Sequence, residues 1–196
     1  MMSSILKMIA VLGVLCGFSG FILSYLKAVT APAVEEQILN NVQGPAISDV
    51  FVQADNNPVA DRRVFDLPGG GKVTVFPCFR AGRLIGVALE NSGKGYGGSV
   101  GVMVGFNIAG DTLAGVGMTA LKETPGLGMR VREPAFTEQF RSLALPAALS
   151  SAGGRIDAVS GATVSSGGVI EAVNRAGEAY RTLKPEFFRA WKQTGE

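Results

Sequence analysis

The run from Met8 to Leu26 contains no Asp, Glu, Lys or Arg and is mostly apolar. As a helix rising about 1.5 Å per residue it would be roughly 28 Å long, close to the ~30 Å hydrocarbon core of a bilayer. No other segment limits the possible folds as strongly. It predicts one N-terminal transmembrane anchor over residues 1–30 and a separate domain over 31–196. A cleaved signal peptide is the competing reading. Its apolar region would be unusually long, and Ala31-Pro32-Ala33 is a poor cleavage context because of the proline. Leu15 before Cys16 is too bulky for a lipoprotein site. Lys7 precedes the run and Lys27 follows it, so the positive-inside rule leaves the side of the domain open.

Composition excludes several chemistries. There is no His, which removes Ser-His-Asp and Cys-His catalysis and most zinc and haem ligation. No metal site is expected, and a redox role would rest on an organic cofactor. The net charge is +2, and Lys and Arg are scattered, so nothing points to nucleic acid. Cys16 lies in the apolar run and Cys78 in a strand-like run, a poor pair for a disulfide.

Beyond the anchor, Pro32 to Val42 reads as a short helix ended by Gly44-Pro45. Lys72 to Phe76 alternates polar and apolar residues, as a half-buried strand does. A turn at Ala81-Gly82 joins it to a strand over Arg83 to Glu90. Val100 to Phe106 and Thr112 to Met118 form a second strand pair across Asn107 to Asp111. Glycines inside these strands mark bulges or close backbone approach. Pro134 to Leu143 reads as a helix with Phe136, Phe140 and Leu143 on one face. Ser165 to Leu183 reads as the longest helix of the domain, closed by Lys184 and Pro185. Its apolar stripe holds Ile170, Val173, Tyr180 and Leu183, while Glu171, Asn174, Glu178 and Arg181 face water. The fold class is α+β: a single domain of antiparallel strand pairs with helices, preceded by one transmembrane helix.

Three motifs carry the chemistry. Asp157-Ala158-Val159-Ser160-Gly161-Ala162-Thr163, followed by Val164-Ser165-Ser166, ends a tight turn on a hydroxyl at a helix start. Free N–H groups and the positive end of the helix dipole make that a good seat for a phosphate. Ordinary helix capping by Ser or Thr is the bland alternative. Gly93-Lys94-Gly95-Tyr96-Gly97-Gly98-Ser99 lets backbone approach a planar ligand and offers the Tyr96 ring. Lys122-Glu123-Thr124-Pro125-Gly126-Leu127-Gly128 supplies an acceptor, a hydroxyl and a Pro-Gly turn.

G-K-G-Y-G-G, E-T-P-G-L-G and D-x-x-S-G-A-T in this order, behind one anchor, resemble the G subunit of the Rnf ion-translocating electron-transport complex. That subunit belongs to the FMN-binding domain family, and the resemblance covers nearly the whole chain. The C subunit of the sodium-pumping NADH:quinone oxidoreductase shares the last motif but is usually longer and reads differently around the glycine loop. The resemblance implies an electron-relay subunit carrying covalent FMN, in a redox-driven Na⁺ or H⁺ translocase coupling NADH and ferredoxin. It would be one part of a larger enzyme and not a stand-alone one. Thr163 would carry the FMN phosphate as a phosphoester, attached by a separate flavin transferase that uses FAD and Mg²⁺. Asp157, Ser160, Gly161 and Ala162 would be the sequence that this enzyme reads. The implied cofactor-binding set is Thr163, Ser160, Gly161, Ala162, Ser165, Glu123, Thr124, Gly126, Leu127, Gly128, Tyr96 and Gly97. Partners would be the membrane and iron-sulfur subunits of the complex and the lipid bilayer. The domain would lie on the periplasmic side of a bacterial inner membrane, or outside where there is no periplasm.

Two positions depart from the family pattern. Leu121 stands where relatives commonly have His, which puts any proton-relay role there in doubt. Ser99 stands where Pro is common, which loosens the glycine loop. Within the same chemistry, a C-type quinone-reductase subunit or another FMN-domain electron-transfer protein stays open. Two other classes also stay open: a flavin-free membrane-anchored assembly module, and a Thr163-nucleophile hydrolase. The hydrolase would need Lys94 or Lys122 as its base.

Overall fold

The computed structural model describes residues 2–191 and divides the chain into two compact units, Met1–Leu39 and Asn40–Glu196. The first is helix α1, Met2–Ile38. Its large apolar side chains from Ile5 to Leu26 are all exposed, so no protein core explains them. The helix is long and apolar enough to cross a membrane. It does not stop at Leu26 and restart at Pro32. Pro32 sits inside it, and a π-helical turn over Leu39–Gln43 follows. Gly44-Pro45 then opens a second helix, α2 (Gly44–Val50), where a break was expected. Proline suits a helix's first turn, because the N–H it lacks would have no intrahelical partner there.

Five antiparallel strands form one sheet in chain order. They are β1 (Arg63–Asp66), β2 (Lys72–Arg80), β3 (Arg83–Lys94), β4 (Ser99–Asn107) and β5 (Thr112–Ala120). The expected strands are present and longer. Ala81 and Gly82, both at positive φ (49° and 73°), make the expected hairpin turn. β1 was not anticipated: only Phe65 of its four residues is buried, so no alternation is visible.

The two faces of the sheet differ. Val100, Val102, Val104 and Phe106 of β4 join Val169, Val173, Ala176, Tyr180 and Leu183 of helix α4 (Thr163–Ala190) in one core. Gly101 and Gly105 alternate with them along β4. Ala46, Ile47, Val50 and Phe51, in and just after α2, are buried. They lie against Gly86, Gly105 and Gly117. A Cβ on Gly117 would come 2.9 Å from the Ala46 carbonyl oxygen, and one on Gly105 would strike Val50 and Phe51. These are the close approaches that in-strand glycine predicts.

Two helices differ from expectation, each for a tertiary reason. The segment from Pro134 is helical only over α3 (Pro134–Thr137) and a 3₁₀ turn at Glu138–Phe140. The Ser142 N–H then donates to the Leu113 carbonyl (2.8 Å), and the Leu113 N–H donates to the Leu143 carbonyl (2.9 Å). Strand β5 thus captures the chain, with Phe136, Phe140 and Leu143 still buried. Helix α4 runs past Pro185. Phe187 and Trp191 pack on Phe65 of β1, each with ring centroids 5.5 Å away, which offsets the hydrogen bond lost at the proline. Asn174 is half-buried and does more than face water. It accepts from the Ala147 N–H (2.8 Å) and donates to the Ala147 carbonyl (2.9 Å).

Both cysteines are free, as expected. Burial pushes the Cys78 thiol up to about 12, so it behaves as a small apolar core residue.

Candidate functional site

Helix α4 begins at Thr163, directly after a turn in which Gly161 takes φ 77°. The Ala162 N–H donates to the Val159 carbonyl (2.9 Å), and the Val159 N–H donates to Ser166 Oγ (3.0 Å). Ser166 also donates back to the Ala162 carbonyl (3.0 Å), so this buried hydroxyl fixes the turn. Residue 162 is the N-cap, and alanine cannot cap. Ordinary capping therefore does not explain the motif, and no side chain caps the helix start.

Both glycine motifs close on the same end of α4. Gly93 and Lys94 belong to β3, so the loop proper is Gly95 to Gly98, closed by Gly95 N–H to the Gly98 carbonyl (2.8 Å). The loop after β5 turns through Gly126 at φ 74°, with Leu127 and Met129 N–H groups donating to the Thr124 carbonyl. Glu123 joins them. It is only 7 % exposed. One carboxylate oxygen accepts the Gly97 N–H (3.1 Å) and the other accepts the Ser165 hydroxyl (2.7 Å). A Cβ on Gly95 or Gly128 would collide with this carboxylate, and one on Gly128 would also sit 2.7 Å from Ser165 Oγ. One side chain thus ties two loops to the head of a helix.

The elements enclose a cavity of about 500 Å³, lined by Tyr96, Glu123, Thr124, Leu127, Gly128 and the segment from Gly161 to Ser165. That volume lies within the ~300–1,000 Å³ range of small-molecule sites. Apolar side chains stand exposed around it: Tyr96 at 78 %, Val164 at 54 % and Leu127 at 49 %. Packing within the protein does not account for them.

Most of the residues singled out in the sequence meet here. Ser160, Gly126 and Gly97 do not line the cavity, although Gly97 reaches it through Glu123. Asp157 lies outside, its backbone paired with the side chain of Gln139. Val164 lines the cavity and was not anticipated; no sequence signal marks a single Val in a first helical turn. Lys94 and Lys122, the bases considered for a hydrolase, do not line it. Leu121 packs half-buried against the core, a setting that suits an apolar side chain. Ser99 pairs with Lys94 at the mouth of the glycine loop.

The residues fit FMN in kind. An uncapped helix head with a Thr hydroxyl suits a phosphate. Bare glycine backbone and exposed apolar side chains suit a planar ring, and Glu123 and Thr124 offer hydrogen bonds. Among the described residues no group of His, Cys, Asp or Glu is placed to hold a metal ion.

Comparison with known proteins agrees with this reading. The FMN-binding domain family matches residues 95–178, which contain the Gly95 to Gly98 loop, the loop from Glu123 to Gly128 and Thr163. The G subunit of an ion-translocating oxidoreductase complex from Methanosarcina acetivorans is 32 % identical over 138 residues, covering 68 % of this chain and 72 % of that protein. Its counterpart from Stutzerimonas stutzeri is 33 % identical over 130 residues, covering 62 % of this chain and 57 % of that protein. The match thus spans little more than half of the longer relative. The crystal structure of NqrC from Shewanella oneidensis shares the fold, with a TM-score of 0.50, 24 % identity and 72 % of each chain covered.

Proposed function

We propose that this chain, which belongs to the G-subunit family of ion-translocating oxidoreductase complexes, is the FMN-carrying electron-relay subunit of such a complex. The observation that carries the proposal is the uncapped head of α4, with Thr163 at its first position on the wall of the cavity. Thr163 Oγ would hold the FMN phosphate as a phosphoester, taken from FAD with AMP as the leaving group and the hydroxyl proton released. A separate flavin transferase carries out this step. When bound, the flavin supplies the electron-accepting ring. The chain supplies the tether and the walls, and an ester tether keeps the cofactor in an open site that partners can reach. The complex moves Na⁺ or H⁺ as electrons pass between NADH and ferredoxin. Its other membrane and iron-sulfur subunits are the partners of this chain. Helix α1 spans the inner membrane once, and the sheet domain lies on the outer side.

In-gel flavin fluorescence after denaturation tests the tether, with wild type and Thr163→Ala each co-expressed with a flavin transferase. The expected result is a fluorescent wild-type band and a dark mutant whose thermal stability is unchanged within about 0.5 kcal/mol. Equal fluorescence in both would move the site elsewhere. A dark wild type, with transferase activity verified, would favour a flavin-free assembly role. The fold shared with NqrC favours one second reading, a C-type subunit of a sodium-pumping NADH:quinone oxidoreductase. Proteins that co-purify with the full chain distinguish the two.

A further inference from the structure

We propose that Glu123 sets how readily the tethered flavin accepts electrons, by keeping an unneutralised negative charge on the wall of its cavity. The inference rests on the flavoprotein reading above. Glu123 is buried and lines the cavity. Its two oxygens contact the Gly97 N–H and the Ser165 hydroxyl. No Lys or Arg pairs with it; the ion pairs among the described residues involve Glu133, Glu138, Glu171 and Asp111. The backbone at Gly95 and Gly128 packs close against the carboxylate. An electron added to the ring without a proton leaves a negative charge there. A fixed charge of the same sign in a poorly hydrated wall opposes that more strongly than one in bulk water would. Glu123 therefore makes the flavin a weaker oxidant and a stronger reductant.

Positioning alone is a different role, and one substitution separates the two. In Glu123→Gln the amide oxygen can still accept the Gly97 N–H. The Ser165 hydroxyl can rotate to accept from the amide nitrogen, since a hydroxyl serves as donor or acceptor. The contacts survive and the charge is lost. The experiment is spectroelectrochemical titration of the flavinylated full-length protein in detergent, wild type against Glu123→Gln, with covalent flavin content measured for both. The expected result is a midpoint potential shifted positive in the mutant, read on the flavin that is bound, whatever the loading. An unchanged potential of the bound flavin overturns the proposal. If Glu123→Gln does not load flavin, Glu123→Asp carries the test, since it keeps the charge while shortening the reach. A potential close to wild type then supports the charge, and a clear positive shift overturns it. A wild-type protein without covalent flavin would instead refute the flavoprotein reading, which the fluorescence assay detects beforehand.

Discussion

Asp111 shows what a single charge does at the end of the sheet away from the cavity. It sits in the β4–β5 turn at φ 52° and accepts from the Tyr180 hydroxyl (2.8 Å) and from Lys184. The Lys184 hydrogen bond, followed by that of Tyr180, holds its carboxyl below the usual 3.8. A lowered acid pKa adds stability above the unfolded-state value, and that stability is lost as pH falls through the folded value. Asp111→Asn keeps an acceptor for Tyr180 and tolerates the left-handed backbone, so it removes little but charge. The expected outcome is a lower thermal midpoint than wild type at neutral pH, with the gap closing as the pH falls below the ordinary carboxylate value of 3.8 and on through the lowered folded-state value. Thermal melts across pH read it directly; a gap independent of pH would mean the charge contributes nothing. At this same scale the sequence showed where Thr163 stands, at the start of α4, but not which groups Glu123 meets. The E-T-P-G motif marked Glu123 as an acceptor. The identity of its donors depends on contacts reaching from residue 97 to residue 165, which no local pattern encodes.

Among the elements, α4 carries a built-in comparison. Gly167 and Gly168 are neighbours in the same helical turns. A Cβ on Gly167 meets nothing within 4 Å, whereas one on Gly168 would sit 2.7 Å from the Lys94 carbonyl oxygen. Helix propensity favours alanine at both positions by about 1 kcal/mol. Gly167→Ala should therefore raise stability by about 0.5–1 kcal/mol. Gly168→Ala should lower it by about 1–3 kcal/mol, because backbone must shift where α4 crosses β3. Urea denaturation of the two variants reads both signs, and a stabilised Gly168→Ala would show that the crossing is slack. Periodicity predicted the middle of this helix well. Its end was misread at Lys184-Pro185 because the aromatic cluster of Phe65, Phe187 and Trp191 outweighs a proline, and β1, which brings Phe65, is too short to announce itself. The segment after Pro134 failed for the reverse reason: helical spacing was present, but β5 offered better backbone partners.

For the whole molecule, the division at Leu39 makes a separable prediction. The unit Asn40–Glu196 has core on both faces of its sheet, and neither core draws on α1. A chain lacking residues 1–39 should stay in the aqueous phase of a detergent partition and unfold in one cooperative transition, while the full chain partitions with detergent. A truncated chain that aggregates at every concentration would mean that α1 is needed for folding. The long apolar N-terminal helix and the α+β class were plain from hydropathy and strand alternation. The covering of the second sheet face by α2 was not, because Gly44-Pro45 read as the end of a helix and the partners of α2 are glycines, which carry no side-chain pattern. The convergence on Glu123 has a further consequence, for how such a chain can vary over time. Two loops and a helix head share one fastening point, so their lengths are not independent. A residue gained or lost between 95 and 98 leaves the Gly97 amide out of reach, and the repair must come from the loop near 123–128 or from the turn before 163. Drift in these three segments should be correlated, and a graft of any one of them from a relative should succeed only when the other two travel with it.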